Sequence, residues 1–512
     1  MPVRFALDGD LNVSKLTEEQ KSYRQIFKAT TLFGGVQIFN IIIAIIRSKV
    51  VAVLLGPAGM GITGLLTSTT GFINSLTNLG LRTSAIKSIA ATSSSENSEK
   101  VSTVISVLRR LIWVTGLLGT IVTAGLSPWL SKITFGSKDY TLAFIWISIT
   151  LLLQQLGSGY SAVLQGLRQL KYLAKANVIG SLIGLIITIP LYYFWQFDGI
   201  VPVIILSSLT SMVILWYFSK KTGIKTVKIS KETIMLEGRE MIKMGFLLSL
   251  SGIITIGASY IVRIYISNTG GIEEVGLYNA GFAIINTYVG MIFTAMGTDY
   301  YPRLSAVADD NQKAKQLINQ QAEVAIMILA PVLAIFLVFI SWVVIIFYSN
   351  KFIAVNEMIH WAALGMYFKA ASWSIGFILL AKGASKLFFW NELLGNFYIL
   401  GFNIVGYRLA GLEGLGISFL AAYFIFFIQV FIIANHKYQF VFDKEFYEVA
   451  GLQLLIGLIC FGIMKTLESP WTYFTGTPLI LISVILSFRE LDKRIDLRKL
   501  IKTQFNTPKK SE

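Results

Sequence analysis

Fourteen mostly apolar stretches, each of about 20 residues or more, follow one another along this 512-residue chain. They run over 30–55, 58–81, 104–130, 141–165, 173–195, 199–219, 243–267, 275–300, 320–348, 354–381, 387–408, 413–435, 446–464 and 471–488. In hydrocarbon each backbone N–H and C=O must be satisfied inside its own segment, so these stretches are expected as helices. The fold expected is an all-α polytopic membrane protein of about 14 transmembrane helices. The run Tyr473-Phe-Thr-Gly-Thr-Pro478 is expected to interrupt the last one. Hydrophobic residues make up 54% of the chain and charged residues 14%, where a soluble protein carries about 25% charged. A soluble enzyme and a disordered chain are thereby excluded. The one cysteine, Cys460, permits no intramolecular disulfide, and two histidines, His360 and His436, give no basis for a metal site. Residues 1–29 lack the basic–apolar–small order of a cleaved signal peptide, so the first span is its own insertion signal.

Lysines and arginines in the loops set the orientation. Of 44, thirty-five fall on one side: the two tails and the loops at 82–110, 168–175, 220–243, 303–315, 382–386 and 437–444. The other side holds Lys132, Lys138, Lys351, Arg408 and Lys465. Both termini are therefore expected in the cytoplasm. The net charge of +16 becomes a topology signal, with no nucleic acid as partner. The basic cluster from Arg489 to Lys510 reads as a tail facing lipid headgroups.

Sliding the sequence on itself by about 215 residues sets Lys171 on Lys386, Gly180 on Gly395 and Asp198-Gly199 on Glu413-Gly414. Gln154 then meets Lys369 and Asn177 meets Glu392; at slightly different shifts Lys49 meets Arg263 and Gly59 meets Gly276. Each repeat holds six spans, an even number, so both insert the same way. The expected organisation is a cytoplasmic tail (1–29), a first lobe (30–219), a cytoplasmic linker (220–242), a second lobe (243–435), two appended spans (436–488) and a basic tail (489–512). Two such lobes leave a cleft, and rocking them exposes it to alternate sides.

Charges inside hydrocarbon are costly unless they face a polar cavity. Four cations lie within spans: Arg47, Lys49, Arg263 and Lys369. Lys369 is thirteen residues from Lys382, too far to snorkel at about 1.5 Å per residue. Lys49 and Arg263 are near enough to their span ends to snorkel in part. Arg47 points away from Lys49 and shares a face with Asn40. The bland alternative for each is a structural pair or a snorkelled anchor. The candidate membrane acids are Asp299, Glu323 and Glu392; Asp299 has Arg303 one turn on as a pairing partner. A cationic cavity between low-dielectric walls attracts anions, and arginine suits bidentate phosphate recognition. No Walker pattern is present, so energy must come from an ion gradient or from consumption of the product. Glu392, on one face with Asn396 and Asn403, is a candidate for proton or Na⁺ coupling, with Asp299 beside it; an ion pair of Glu392 with Lys382 or Lys386 is the plainer reading. His360 reads as an interfacial residue. Trp129, Trp195, Trp342 and Trp471 read as interface anchors.

The segment Lys49-Val-Val-Ala-Val-Leu-Leu-Gly-Pro-Ala-Gly-Met-Gly61 resembles the end of span 1 in bacterial oligosaccharide-lipid flippases of the Wzx type. It is most similar to the branch with the enterobacterial common antigen lipid III flippase and the O-antigen translocases. Glu274-Val-Gly-Leu277, Tyr301-Pro-Arg-Leu-Ser305, Ser349-Asn-Lys-Phe352 and the stretch from Lys369 through Ala381-Lys382 to Glu392 add to the likeness. It runs from about residue 30 to 435 and fades after Asn435, so spans 13 and 14 stand outside it. The resemblance implies the multidrug/oligosaccharidyl-lipid/polysaccharide exporter superfamily, with two six-helix lobes and a cationic central cavity. It also places charged groups at Lys49, Arg263, Lys369 and Glu392; Arg47 rests on the residues alone. The expected function is a flippase of the bacterial inner membrane that moves an undecaprenyl-pyrophosphate-linked oligosaccharide, with no cofactor beyond a coupling H⁺ or Na⁺. Arg47, Lys49, Arg263 and Lys369 would hold the pyrophosphate, and Asn40, Asn74, Asn78, Gln154, Asn279 and Asn286 the sugar. Membrane lipids and other polysaccharide-assembly proteins are the further partners expected. One rival is a cation-coupled multidrug exporter of the same fold, which should hold more acids than bases in its cavity. A membrane-embedded glycosyltransferase or polymerase would need a long outer catalytic loop, and a structural scaffold leaves the buried cations unexplained.

Overall fold

The computed structural model describes residues 39–93, 98–224, 227 and 229–495. The tail 1–29, the start of the first expected span and the basic tail from 496 onward lie outside the described residues. No β-strand occurs among the described residues. The helices are α1 (39–54), α2 (Gly56–Thr77), α3 (Leu81–Ser93), α4 (Ser98–Gly125), α5 (Ser127–Phe135), α6 (Thr141–Ile147), α7 (Ile149–Gly166), α8 (Leu170–Trp195) and α9 (Ile200–Lys220). After a linker come α10 (Lys231–Gly270), α11 (Ile272–Phe282), a π-helical segment (Ala283–Val289), α12 (Met291–Ala306), α13 (Asn311–Phe347), α14 (Asn356–Ala381), α15 (Ser385–Tyr438), α16 (Lys444–Thr466) and α17 (Trp471–Ile495).

Among the described residues, ten helical segments are long and apolar enough to cross a membrane. Two of them, 51 and 54 residues long, each consist of two long helices. Leu170–Lys220 breaks at Gln196–Gly199 between α8 and α9. Within α15 the helix breaks at Ala410 and Gly411, where φ of +55° suits glycine. The chain then folds back on itself: Ser418 donates to the Phe402 carbonyl at 2.6 Å, and Gln429 donates to Asn391 Oδ1 at 2.8 Å.

Several helices begin earlier than the apolar stretches do. The loop expected over 82–110 opens instead with α3, Leu81–Ser93, and α10 and α13 start at Lys231 and Asn311. Their first turns are polar because they lie beyond the apolar stretch, and side chains cap them: Ser230 accepts from Thr233 N, and Asp310 from Gln312 N and Lys313 N. The interruption expected at Tyr473–Pro478 does not occur, since α17 runs through it. The helix absorbs Pro478 while the Thr475 and Thr477 hydroxyls donate back to the Trp471 and Tyr473 carbonyls.

The two halves of the chain share turn geometry at a spacing of 215 residues. Arg168 and Gly383 both have positive φ, 56° and 68°. The next residues, Gln169 and Ala384, both have φ −78° and ψ 54°. Gln169 N donates to Leu164 O at 2.8 Å and Ala384 N to Leu379 O at 2.9 Å. Gly56 and Gly271, also 215 apart, end α1 and α10 with φ of +65° and +91°.

The largest apolar core lies in the second half, where Ile318, Leu329, Leu333 and Leu337 of α13 pack with Ile359, Ala363 and Ile375 of α14, all without exposure. Helices α16 and α17 pack on α13 and are joined by Gln453, which donates to the Ser487 hydroxyl at 2.9 Å and accepts from Ser483 at 2.7 Å. The outer surface is apolar: Ile186, Phe194 and Leu409 are exposed, and Trp129, Trp195, Trp342 and Trp471 are each more than half exposed. An apolar exterior this extensive is stable against lipid rather than water.

Candidate functional site: two adjoining cavities

Helix α10 forms the shared wall of two cavities, both lined by its Thr255 and Ser259. The first, about 670 Å³, lies between α1 and α2 of the first half and α10 and α11 of the second; Arg47 and Arg263 line it, with no carboxylate among the described residues. The second, about 350 Å³, lies inside the second half and contains Lys369, Glu392, Asn286, Asn396 and Asn403.

Arg263 is held in place from three directions. Its Nε donates to Asn279 Oδ1 at 2.8 Å, and its Nη1 donates to the Ser259 carbonyl at 3.0 Å and to the Ser259 hydroxyl. The guanidinium carbon lies 5.5 Å from the Tyr278 ring centroid, a cation–π distance. Arg47 is held differently. Its Nε is buried with no hydrogen-bond partner among the described residues, a costly state unless a ligand supplies the acceptor. Glycine at 184 admits it, since a Cβ there would lie 2.6 Å from Nη2.

Lys369 donates to Asn286 Oδ1 at 2.6 Å and stands over the Tyr423 and Phe419 rings at 4.9 and 5.5 Å. Asn279 and Asn286 thus play matching parts. Each gives its carbonyl oxygen to a cation, and each keeps its Nδ2 buried without a partner. Asn286 sits in the π-helical segment Ala283–Val289, the kind of local widening that re-aims a side chain at functional sites. Glu392 has no ion-pair partner within 4 Å among the described residues. Lys382 is engaged elsewhere, with the Ala308 carbonyl and with Asn311 Oδ1 at 2.5 Å.

The other residues singled out from the sequence lie apart from these cavities. Lys49 donates to the Ile345 carbonyl of α13 at 2.6 Å and lines neither cavity. Asn40 accepts from Ser181 at 2.8 Å and so joins α1 to α8. Asn74 is half-buried in α2, and Asn78 accepts from Gly80 N at 2.7 Å in the turn after it. Gln154 is exposed, while its neighbour Gln155 is buried and donates to Thr115 at 2.8 Å. Glu323 is buried in α13, and the side chain of Asp299 lies outside the described residues. His360 is buried against Phe461, with Glu357 at 4.0 Å. Glu357 and Glu413 both pair with Lys465, and Trp361 donates to Glu413 at 2.9 Å. Sequence reasoning missed the rings beneath the cations, Tyr278, Phe419 and Tyr423. Its only signal for them was the four-residue spacing that puts Phe419 and Tyr423 on one helical face.

A family model described as polysaccharide biosynthesis protein matches residues 50–357, more than half of the chain. The lipid III flippase of Escherichia coli (strain K12) is 20% identical over 354 residues, covering 67% of this chain and 82% of that protein. The putative O-antigen transporter of Shigella flexneri is 25% identical over 342 residues, covering 65% and 79%. Among solved structures, the lipid II flippase MurJ in an inward closed conformation superposes with a TM-score of 0.66 at 13% identity, over 92% of this chain and all of that one. An inward-facing multidrug resistance transporter of the MATE family also gives 0.66, at 16% identity, over 79% and 94%. A polytopic helical fold shared with these transporters, a cavity lined by arginines and the family match lead to one conclusion. The chain belongs to the polysaccharide biosynthesis protein family and is a multi-pass membrane transporter, not an enzyme.

Proposed function

We propose that this protein flips an undecaprenyl-pyrophosphate-linked oligosaccharide, an O-antigen or related repeat unit, from the cytoplasmic to the outer leaflet of the bacterial inner membrane. The observation that carries this reading is the inter-half cavity, where Arg47 and Arg263 from opposite halves face one space with no carboxylate among the described residues. Two guanidiniums between apolar walls suit a diphosphate. The buried, unpartnered Arg47 Nε is a donor for which such a ligand supplies acceptors. Lys369, Asn279 and Asn286 extend the polar surface toward the sugar. The fourteen-span, two-lobe arrangement has support in the matched turns at Arg168–Gln169 and Gly383–Ala384. The excess of loop cations on one face supports cytoplasmic termini. Glu392, half-buried in the second cavity without an ionic partner, is the candidate for H⁺ or Na⁺ coupling, with Asp299 as the further candidate.

The test is a flipping assay in proteoliposomes with defined undecaprenyl-pyrophosphate sugars, with and without proton and Na⁺ gradients. Protein-dependent flipping that a gradient accelerates is the expected result. Export of cationic drugs in the same vesicles, with no movement of lipid-linked sugar, would establish the multidrug rival instead.

A further inference from the structure

Lys49 makes a contact that the cavity leaves unexplained, and it belongs to an ordered set. Helices α2 and α11 cross between the halves with their backbones nearly touching. A Cβ on Gly61 would lie 2.0 Å from the Ile272 carbonyl oxygen, and a Cβ on Gly276 would lie 1.9 Å from the Pro57 carbonyl oxygen. Pro57 and Ile272 are 215 residues apart, and so are Gly61 and Gly276. The two contacts are therefore copies of each other under the repeat, and only glycine permits them.

Two side-chain clasps flank this crossing, alike in kind though not at matched repeat positions. In α13 the cap N–H of Tyr348 takes the Val344 carbonyl, and Lys49 of α1 takes the next one, Ile345, at 2.6 Å. In α5 the cap N–H of Gly136 takes the Lys132 carbonyl, and Asn268 of α10 takes the next one, Ile133, at 2.8 Å. Each half thus sends a side chain from its first long helix to a terminal carbonyl of the other half's helix. Terminal carbonyls lack intrahelical donors and carry the negative end of the helix dipole. The cationic clasp is the stronger of the two. Lys351 lies across the same seam, its side chain 3.8 Å from where a Cβ of Gly56 would be.

We propose that this crossing is the outer gate of the transporter and that Lys49 is its latch, a positioning residue rather than a ligand for the substrate. The inference rests on the alternating-access reading above. When the outer side opens, α2 and α11 separate, and Lys49 loses Ile345 as Asn268 loses Ile133. Lys49 thereby stabilises the outward-closed state without touching substrate.

The experiment places a cysteine at Gly71, a cavity position where a Cβ meets nothing within 4 Å. Labelling by a membrane-impermeant maleimide from outside intact cells then reports opening, with buried native Cys460 as the background control. With Lys49→Met, labelling should accelerate about tenfold, the effect of losing one charge-assisted hydrogen bond. Lys49→Arg should return it to within about twofold of the parent, since a guanidinium also donates to a carbonyl. An unchanged rate in Lys49→Met would overturn the latch. Should that variant not accumulate, Asn268→Leu serves, with about a threefold acceleration expected for a neutral clasp and no change again overturning it. Inorganic pyrophosphate should slow labelling equally in the parent and in Lys49→Met; protection lost only in the variant would return Lys49 to the substrate site. No protection in the parent would count against the diphosphate reading alone, leaving the gate to be judged by the labelling rates.

Discussion

The two halves of the chain have the same turns and different chemistry. At the position of Lys369 the first half has Gln154, and at the position of Glu392 it has Asn177; both are exposed and line neither cavity. Their counterparts in the second half face a cavity with aromatic rings and buried amides. The turns recur in both halves, whereas Lys369 and Glu392 occur in the second alone. A repeat therefore fixes where a helix turns, and it does not fix which of its faces becomes functional.

The largest effect expected of any test of this contrast is at the cations. Arg263→Ala or Lys369→Ala should lower lipid-linked sugar transport about 100-fold, because a charge-assisted contact is worth a few kcal/mol. Arg263→Lys should recover only part of it, since the bidentate fork is lost. Normal transport by both alanine variants at wild-type abundance would remove the site from these cavities. Next comes the seam. Gly276→Ala forces a Cβ against the Pro57 carbonyl and should destabilise the protein by about 1–3 kcal/mol, read as a lower melting temperature in detergent. Gly71→Ala, with open space around it, is the control and should melt like the parent.

Glu392→Gln should abolish acceleration of transport by an ion gradient and leave pyrophosphate protection intact. Persisting acceleration would leave the coupling ion without a site. Gln154→Ala and Asn177→Ala should change transport by less than about twofold, on the rule that surface substitutions are nearly neutral; a large loss in either would restore symmetry to the two halves. The smallest effect concerns Asp310. The Lys313 backbone N–H, then the Lys313 side chain and the Gln312 N–H, hold its carboxyl below the usual carboxylate range. A lowered folded-state pKa adds stability that is present above the unfolded-state pKa and is lost as pH falls through the folded one. Asp310→Asn keeps a capping oxygen and should melt slightly less pH-dependently on the acid side than the parent.

The helix pattern was legible because a run of apolar residues has one stable outcome in lipid. The breaks at Gly271 and Gly411 were legible too, where glycine takes positive φ. Helix α3 and the early starts of α10 and α13 were not, because polar helical turns beyond the membrane resemble loops in composition. Arg263 and Lys369 stood out as charges in apolar runs, and they do line the cavities. The partner of Lys49 had no signal at all, since Ile345 contributes only its backbone oxygen. Choosing Gln154 over Gln155 was a matter of one residue of helix rotation, about 100°, which periodicity alone did not resolve. The π-helical segment that aims Asn286 at Lys369 left no mark in composition either.

Gly64 and Asn279 are also 215 residues apart, and they meet: a Cβ on Gly64 would lie 2.0 Å from Asn279 Nδ2. A position that contacts its own repeat copy lies on the axis relating the two halves. In a homodimer of identical chains, any residue on that axis must tolerate itself. Two asparagines there would collide, and two glycines would leave Arg263 without its amide. A single chain carries no such restriction. One position keeps the hydrogen atom that clears the space, and the other carries the side chain that fills it. The anchoring of Arg263 is thus open to two halves that differ and closed to a symmetric dimer of one unit.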